Sequence, residues 1–262
     1  MNIKNLTNWK LYRLLLSASI LATIACLPYA FTLASNTISQ APVSLPVLIL
    51  ISIVQSSILF AIVIFFGLRL SAKVNLGLPI ITSYLNKQSL TINIKYLVKQ
   101  AIWLGIASSL AIILADQLFS IAGVQLSLKA DQATAWWMGL LASFYGGIGE
   151  EILLRLFFMS LLVWLFSKLS KSTRPARDRN ILMWSAIVLA SIIFGLGHLP
   201  VTASLTTLSA GVILRALVLN GIGGLIFGYL FWKKGLESAM IAHFSADIVL
   251  HLLLPVLLSV LN

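Results

Sequence analysis

Long apolar stretches dominate this chain, and short polar segments separate them. Seven stretches each provide about the 20 apolar residues that an α-helix needs to cross a bilayer. The fourth is long enough to tilt or to project from the membrane. The pattern predicts an all-α, polytopic transmembrane helix bundle with spans at roughly 11–34, 46–68, 97–119, 135–166, 181–199, 213–232 and 236–258.

Composition supports a membrane protein over a soluble one. The chain has 262 residues, of which 60% are hydrophobic and 10% are charged, whereas a soluble domain is about a quarter charged. The net charge of +11 would suggest nucleic acid in a soluble protein. Here the basic residues lie mainly between the apolar stretches, so membrane topology and anionic lipid explain them, and no nucleic-acid partner is expected. The single cysteine, Cys26, excludes an internal disulfide and a multi-cysteine metal site.

Basic connecting segments alternate with neutral ones along the whole chain. The segments around 35–45 and 200–212 and the tail after 258 have no charge, and Lys129 and Asp131 cancel in the segment between the third and fourth spans. The positive-inside rule therefore predicts a cytoplasmic N-terminus and an external C-terminus. The basic segments carry Lys4, Lys10 and Arg13; Arg69, Lys73, Lys87 and Lys95; Lys168, Lys171, Arg174, Arg177 and Arg179; and Lys233 and Lys234.

The first stretch also begins like a signal peptide, with basic residues before an apolar run. Its apolar run is long for a signal and no clear Ala-x-Ala site follows, so an uncleaved helix is favoured. The longest connection, 69–96, has room for a short interfacial helix. We expect an N-terminal membrane region with two spans over 1–94 and a catalytic transmembrane domain over 95–262.

Ionisable residues are concentrated within the predicted spans. Charged groups at bilayer depth cost a few kcal/mol each, which makes them candidates for function. Four of the seven acids lie inside apolar spans, namely Asp116, Glu150, Glu151 and Asp247. All three histidines, His198, His243 and His251, lie in or at the end of spans. Asp116, near the end of the third span, is interpreted as structural or interfacial.

The fourth span contains a Gly-Gly-Ile-Gly run followed by two glutamates. Glu151 and Arg155 are four residues apart, so they share a helix face and can form an ion pair. That pair could be catalytic support or only a lock between packed helices. Glu150 is rotated by about 100° from Glu151 and has no local partner, so it is free to face a cavity. A carboxylate in an apolar site can act as a general base on water.

Two further spans carry histidines. His198 follows Phe194 by four residues at the end of the fifth span, and the alternative to a functional role is an interfacial histidine. In the seventh span, His243, Asp247 and His251 fall on one stripe. A histidine and an acid at this spacing can bind a metal together, or the acid can orient the imidazole. The alternative is a polar stripe that joins helices by hydrogen bonds, and His251 fits that alternative best.

Three motifs in order carry a family resemblance: Glu-Glu-x-x-x-Arg at 150–155, Phe-x-x-x-His at 194–198 and His-x-x-x-Asp at 243–247. Together they resemble the CAAX prenyl protease family of the Ras-converting type, also called the CPBP family. Its bacterial branch includes bacteriocin-processing and self-immunity proteins. The resemblance covers roughly 95–258. It implies a multi-pass protein of the bacterial plasma membrane and a peptide or lipidated-protein substrate in contact with membrane lipid.

The resemblance also implies roles for the motif residues. Glu150 is the catalytic carboxylate, Glu151 and Arg155 support it, and His198 assists water activation. His243 and Asp247 complete the site and could stabilise the oxyanion. Asp247 stands where much of the family has Asn, and a carboxylate cannot donate a hydrogen bond unless it is protonated. This departure weakens an oxyanion role and favours orientation of a histidine or binding of a metal.

The family leaves two catalytic types open, a zinc metalloprotease and a metal-free glutamate protease. The His-Glu-x-x-His zinc signature is absent. A zinc site would require His198, His243 and an acid such as Asp247 or Glu150 to converge from different helices. Without metal, Glu150 and His198 would activate water directly. We favour the route without a tightly bound metal.

Two other function classes fit the same residues. A buried cluster of this kind could conduct protons or ions in a transporter, although no internal repeat of the transporter type is visible. The chain could also be a catalytically idle immunity or scaffold protein. The prediction is an intramembrane endopeptidase, with these two classes as its alternatives.

Overall fold

The fold is an all-α bundle. A computed structural model describes residues 8–90, 92–124, 134–169 and 175–261, and these residues contain helices and no strands. Seven helical stretches are long and apolar enough to cross a membrane, which confirms the predicted number and order of spans. They are Trp9–Leu33, Leu45–Lys73, Ile94–Ile121, Trp136–Leu169, Asp178–Leu205, Ala210–Lys234 and Leu236–Ser259.

The first half of the chain forms three long helices and two short ones. The long helices begin after polar or turn residues: Asn8 accepts the N–H groups of Lys10 and Leu11, and Asn93 accepts that of Tyr96. The predicted short helix in the 69–96 connection is present. These elements are α1 (Trp9–Leu33), α2 (Ser35–Ser39), α3 (Leu45–Lys73), α4 (Pro79–Leu85) and α5 (Ile94–Ile121).

The fourth span is the longest and is not a uniform α-helix. It runs through α6 (Trp136–Phe144), a π-helical segment Tyr145–Glu150, a second π-helical segment Ile152–Met159, and α7 (Ser160–Leu169). The three glycines in the first π segment permit this wider winding, because they leave the backbone free of side-chain crowding. π-Helical turns inside α-helices are frequent at functional sites. The glycine run did not by itself predict this change of winding.

The second half contains the remaining spans. The fifth helix begins at Pro175, six residues earlier than the predicted 181, because proline is well suited to the first helical turn. The sixth helix begins at Ala210, three residues before the predicted start at 213, because the Ser209 side chain caps it by accepting the Val212 N–H. The elements are α8 (Pro175–Gly197), α9 (Leu199–Leu205), α10 (Ala210–Lys234), α11 (Leu236–Asp247), a π-helical segment Ile248–Leu253 and α12 (Leu254–Leu261).

Close helix contacts form where small residues meet. A Cβ at Gly105 of α5 would collide with the carbonyl oxygen of Ala242 in α11, and one at Gly224 of α10 would lie 2.6 Å from Ser191 Oγ in α8. Small residues allow membrane helices to approach in this way. As a result α10 packs against α8, α5 and α11, and α11 packs against α5 and the Tyr145–Glu150 segment.

The two N-terminal spans lie against the helix that carries the glutamates. Helix α1 packs on α6 and on the Tyr145–Glu150 segment, and α3 packs on the Ile152–Met159 segment. The division at 94/95 stays a prediction, but the first two spans are in direct contact with the predicted catalytic region. Several loop residues used for the topology argument lie outside the described residues: Lys4, Lys129, Asp131, Lys171 and Arg174.

Candidate active site

Three spans bring the predicted site residues together. Glu150 ends the first π segment, Glu151 separates the two π segments, and Arg155 lies in the second. His198 follows the last residue of α8, whereas His243 and Asp247 belong to α11. Every motif residue predicted from the sequence therefore lies in one cluster, in contact with at least one other member.

The cluster is anchored by a buried ion pair. Arg155 Nη1 lies 3.1 Å from Glu151 Oε1, and both side chains are almost fully buried. Arg155 Nη2 also donates to the carbonyl oxygen of Gly224 at 3.2 Å. The Glu151–Arg155 pair predicted from their spacing is thus present, and it extends to the backbone of α10. Such partners offset part of the cost of burying two charges.

His243 joins this pair. Its Nδ1 lies 2.8 Å from Glu151 Oε1, within hydrogen-bond distance. Phe227 stacks on the imidazole, with ring centroids 4.5 Å apart and planes inclined by 21°. Phe194 packs edge-on at 5.6 Å. Because a carboxylate can only accept, Nδ1 carries the hydrogen, and the ring is held with Nε2 pointing away from Glu151.

The two phenylalanines also hold the arginine. The guanidinium carbon of Arg155 lies 5.1 Å from the Phe194 ring centroid and 5.6 Å from that of Phe227. Both distances are in the range of a cation–π contact. Phe227 belongs to α10 and to none of the three motifs, so sequence reasoning did not identify it. No spacing signal connects it to the glutamates, because its role depends on how α10 packs.

Glu150 faces the two histidines from the open side of the cluster. Its Oε2 lies 3.6 Å from His243 Nε2, and its Oε1 lies 4.0 Å from His198 Nε2. The side chains of Glu150 and His198 are 22% and 32% exposed, whereas that of His243 is 5% exposed. These distances are too long for direct hydrogen bonds. They leave Glu150 as the accessible carboxylate between two imidazoles.

The orientation of the His198 ring is fixed by a hydrogen bond on the side away from Glu150. Its Nδ1 lies 2.9 Å from the carbonyl oxygen of Phe194, which can only accept, so Nδ1 donates. In the neutral ring the unprotonated Nε2 then faces Glu150. His198 and His243 therefore present the same ring nitrogen to the same carboxylate.

Asp247 lies between two histidines. Its Oδ1 is 3.7 Å from His243 Nε2 and 3.9 Å from His251 Nε2. The Nδ1 atom of His251 is 3.3 Å from the Tyr29 hydroxyl, which belongs to α1. The sequence placed His251 on the stripe of His243 and Asp247, and the structure keeps it there. The contact with Tyr29 was not foreseen, because no motif connects the first span to the site.

Asp116 lies apart from this cluster. Its Oδ1 forms an ion pair with Arg215 Nε at 2.6 Å, and Asp116 is 44% exposed. The pair joins α5 to α10. This agrees with a structural interpretation of Asp116, although the sequence did not name Arg215 as its partner.

Gly146 keeps the cluster open. A Cβ at this position would collide with Asp247 Oδ2 and would lie 3.2 Å from His243 Nε2. Replacing Gly146 by any other residue would therefore displace two of the ionisable side chains. Glycine is required here because there is no room for a side chain, and not because of an unusual backbone conformation.

If the chain is the endopeptidase that the sequence predicts, Gly146→Ala should remove most of its activity without unfolding it. The added methyl group displaces Asp247 and changes the surroundings of His243, whereas the buried Glu151–Arg155 pair stays intact. The measurement is the cleavage rate alongside thermal unfolding in detergent. Gly221→Ala is the matched control, because a Cβ at Gly221 meets nothing within 4 Å. Full activity in Gly146→Ala would mean that Asp247 and His243 need not hold these positions.

Metal-binding residues were predicted at His198, His243 and Asp247. Within the described part of the chain, no group of three or more His, Cys, Asp or Glu side chains is arranged to hold a metal ion. The metal set stays a prediction, and no chemical step below is derived through a metal.

Comparison with known families gives one match. Residues 132–249 match the model of the family described as Rce1-like, type II CAAX prenyl endopeptidase. Comparisons with curated proteins and with solved structures give no significant match. The matched region includes Glu150, Glu151, Arg155, His198, His243 and Asp247, and it excludes Tyr29 and His251. The resemblance inferred from the three motifs is thus confirmed, and this multi-pass membrane chain carries, over residues 132–249, the signature of the Rce1-like CAAX prenyl endopeptidase family.

Proposed function

We propose that this chain is an intramembrane endopeptidase in which Glu150 activates a water molecule to hydrolyse a peptide bond close to the membrane. The observation that carries the proposal is the position of the Glu150 carboxylate, 3.6 Å and 4.0 Å from the Nε2 atoms of His243 and His198. A water molecule bonded to Glu150 would lie within reach of both imidazoles. The match to the Rce1-like family supports protease chemistry at this place.

The proposed reaction uses Glu150 as general base and then as general acid. Glu150 takes a proton from the water molecule while the water oxygen attacks the carbonyl carbon of the substrate. The resulting tetrahedral intermediate carries a negative oxygen. When the C–N bond breaks, the same proton passes to the leaving amine nitrogen. His198, held through Nδ1 by the Phe194 carbonyl, orients the water through Nε2.

His243 is the proposed donor to the negative oxygen. Three carboxylates surround its ring, from Glu150, Glu151 and Asp247. In this proposal the ring carries a hydrogen on Nε2 as well as on Nδ1, so that Nε2 can donate to the negative oxygen. Preorganised donors of this kind are a large source of transition-state stabilisation. Asp247 would then act by orienting His243 and not by donating.

Substrate class and topology follow from the family and from the loop charges. The family match supports a peptide or prenylated-protein substrate. The alternation of basic and neutral segments supports a cytoplasmic N-terminus and an external C-terminus. The bacterial plasma membrane remains the proposed location, on the resemblance to the bacterial branch.

The proposal is tested with purified protein in liposomes. A farnesylated peptide ending in a Cys-aliphatic-aliphatic-x sequence and its unmodified counterpart are incubated with it, and mass spectrometry detects the products. An entrapped pH dye reports proton flux in the same vesicles. Cleavage without flux supports the endopeptidase. Flux without cleavage would identify a transporter, and an immunity or scaffold protein would show neither.

A further inference from the structure

A cavity lies at the end of the bundle where the basic segments are found. It is lined by the start of α1, the end of α3, α4, the start of α5 and the end of α10. Its volume is about 700 Å³, within the range of small-molecule binding sites, roughly 300–1,000 Å³. None of the proposed catalytic residues lines it. The cavity is therefore separate from the candidate active site.

The cavity wall changes from apolar to basic. Leu11, Leu68, Leu97 and Phe231 line it and are buried side chains of four different helices. Lys233 and Lys234 line it where α10 ends. In the part of the chain that the structure describes, neither lysine forms an ion pair with a carboxylate. The wall thus combines an apolar surface with two unneutralised positive charges.

Aromatic side chains place the lysines at the membrane–water interface. The ammonium nitrogen of Lys233 lies 3.5 Å from the Trp232 ring centroid. Trp232 packs edge-on against Trp184, which stacks on Tyr229 at 6.0 Å. Tryptophan and tyrosine collect at the level of lipid headgroups. Headgroups and the start of the acyl chains are therefore the groups expected beside this cavity.

Basic residues outnumber acids around the cavity, and the acid Glu237 is compensated by backbone N–H groups. Glu237 lies two residues after Gly235, which lines the cavity, and its Oε1 accepts the N–H groups of Ile80 and Ile81, both at 2.9 Å. These two donors compensate the carboxylate locally, so it opposes the field of the lysines weakly. The basic residues described at this end are Lys10, Arg13, Arg69, Lys73, Lys87, Lys95, Lys99, Lys168, Arg179, Lys233 and Lys234.

We propose that this cavity binds a membrane phospholipid with an anionic headgroup. The phosphate lies at Lys233 and Lys234, and part of an acyl chain occupies the apolar wall. Charge complementarity selects an anionic lipid over a zwitterionic one, and the apolar wall selects a lipid over a free phosphate ion. The site gives the basic end of the protein a specific lipid contact in addition to the general attraction of its charges.

The test is retention of lipid by the delipidated protein in detergent, measured by native mass spectrometry. Phosphatidylglycerol and phosphatidylcholine with the same acyl chains are compared. The wild-type chain is expected to retain phosphatidylglycerol preferentially. Lys233→Gln with Lys234→Gln should weaken this binding about twenty-five-fold, because each lysine near anionic lipid contributes about a factor of five. Lys10→Gln with Lys168→Gln removes the same charge from exposed positions that do not line the cavity, and it should bind like the wild type.

A second variant tests the space rather than the charge. Ala72 is exposed and lines the cavity, so Ala72→Trp should fill part of it while both lysines and the fold remain. Phosphatidylglycerol binding is expected to fall although the net charge is unchanged. Equal retention of the two lipids by the wild type would overturn the proposal. So would equal losses in the two double variants, undiminished binding in Ala72→Trp, or displacement of the lipid by inorganic phosphate alone.

Discussion

Glu150→Gln is expected to lower the cleavage rate by at least about a hundredfold while the protein remains folded. A general base contributes roughly 10²–10⁴-fold to a reaction rate, and the amide has no basic oxygen that can take the proton from water. The side chain keeps its size and is partly exposed, so helix packing should not change. The measurement is the rate on the farnesylated peptide in liposomes, together with thermal unfolding.

Asp116→Asn is the matched control for this variant. It also neutralises a carboxylate within a span, but Asp116 pairs with Arg215 outside the site. Its cleavage rate should stay within about twofold of the wild-type rate, since it does not touch the cluster. If Glu150→Gln kept the wild-type rate, another group would have to activate the water.

Arg155→Leu is expected to destabilise the protein by about 3–5 kcal/mol, the usual cost of leaving one partner of a buried ion pair without its counter-charge. Glu151 would keep only its contact with His243, in a site with almost no exposure. The Gly224 carbonyl would also lose its donor. The free energy of unfolding in detergent measures this loss, and cleavage should fall with it because His243 would no longer be held in place.

The double variant Glu151→Leu with Arg155→Leu separates the charge from the packing. Replacing a buried pair by apolar side chains is often neutral or stabilising. The double variant should therefore recover part of the stability that Arg155→Leu loses, without recovering activity. Wild-type stability in Arg155→Leu would mean that the buried pair contributes nothing to the fold.

The spans and the motif pairs could be predicted because they depend on local geometry. An apolar run of sufficient length marks a span, and the seven observed helices follow those runs. Glu151 and Arg155 form the pair that their spacing indicates. The convergence of Glu150, His198 and His243 could be expected from the family resemblance. It requires three spans to be neighbours, which no local spacing can establish.

The remaining features depend on tertiary packing. Phe227 stacks on His243, and Gly224 accepts from Arg155, because α10 lies beside the cluster. Tyr29 reaches His251 because α1 packs on the fourth span. The spacing of these residues in the sequence does not predict any of these contacts. The π-helical winding around Glu150 could not be predicted from the sequence either, because glycines permit several backbone conformations.

The most direct test of Glu150-activated water is cleavage of the farnesylated peptide in water enriched in oxygen-18. Hydrolysis by an activated water should place one heavy oxygen in the new carboxyl terminus of the wild-type product. The same product should be almost absent with Glu150→Gln and present at the normal level with Asp116→Asn. A labelled product formed equally fast by Glu150→Gln, or no product from the wild type with either peptide, would contradict the assignment of Glu150 as the catalytic base.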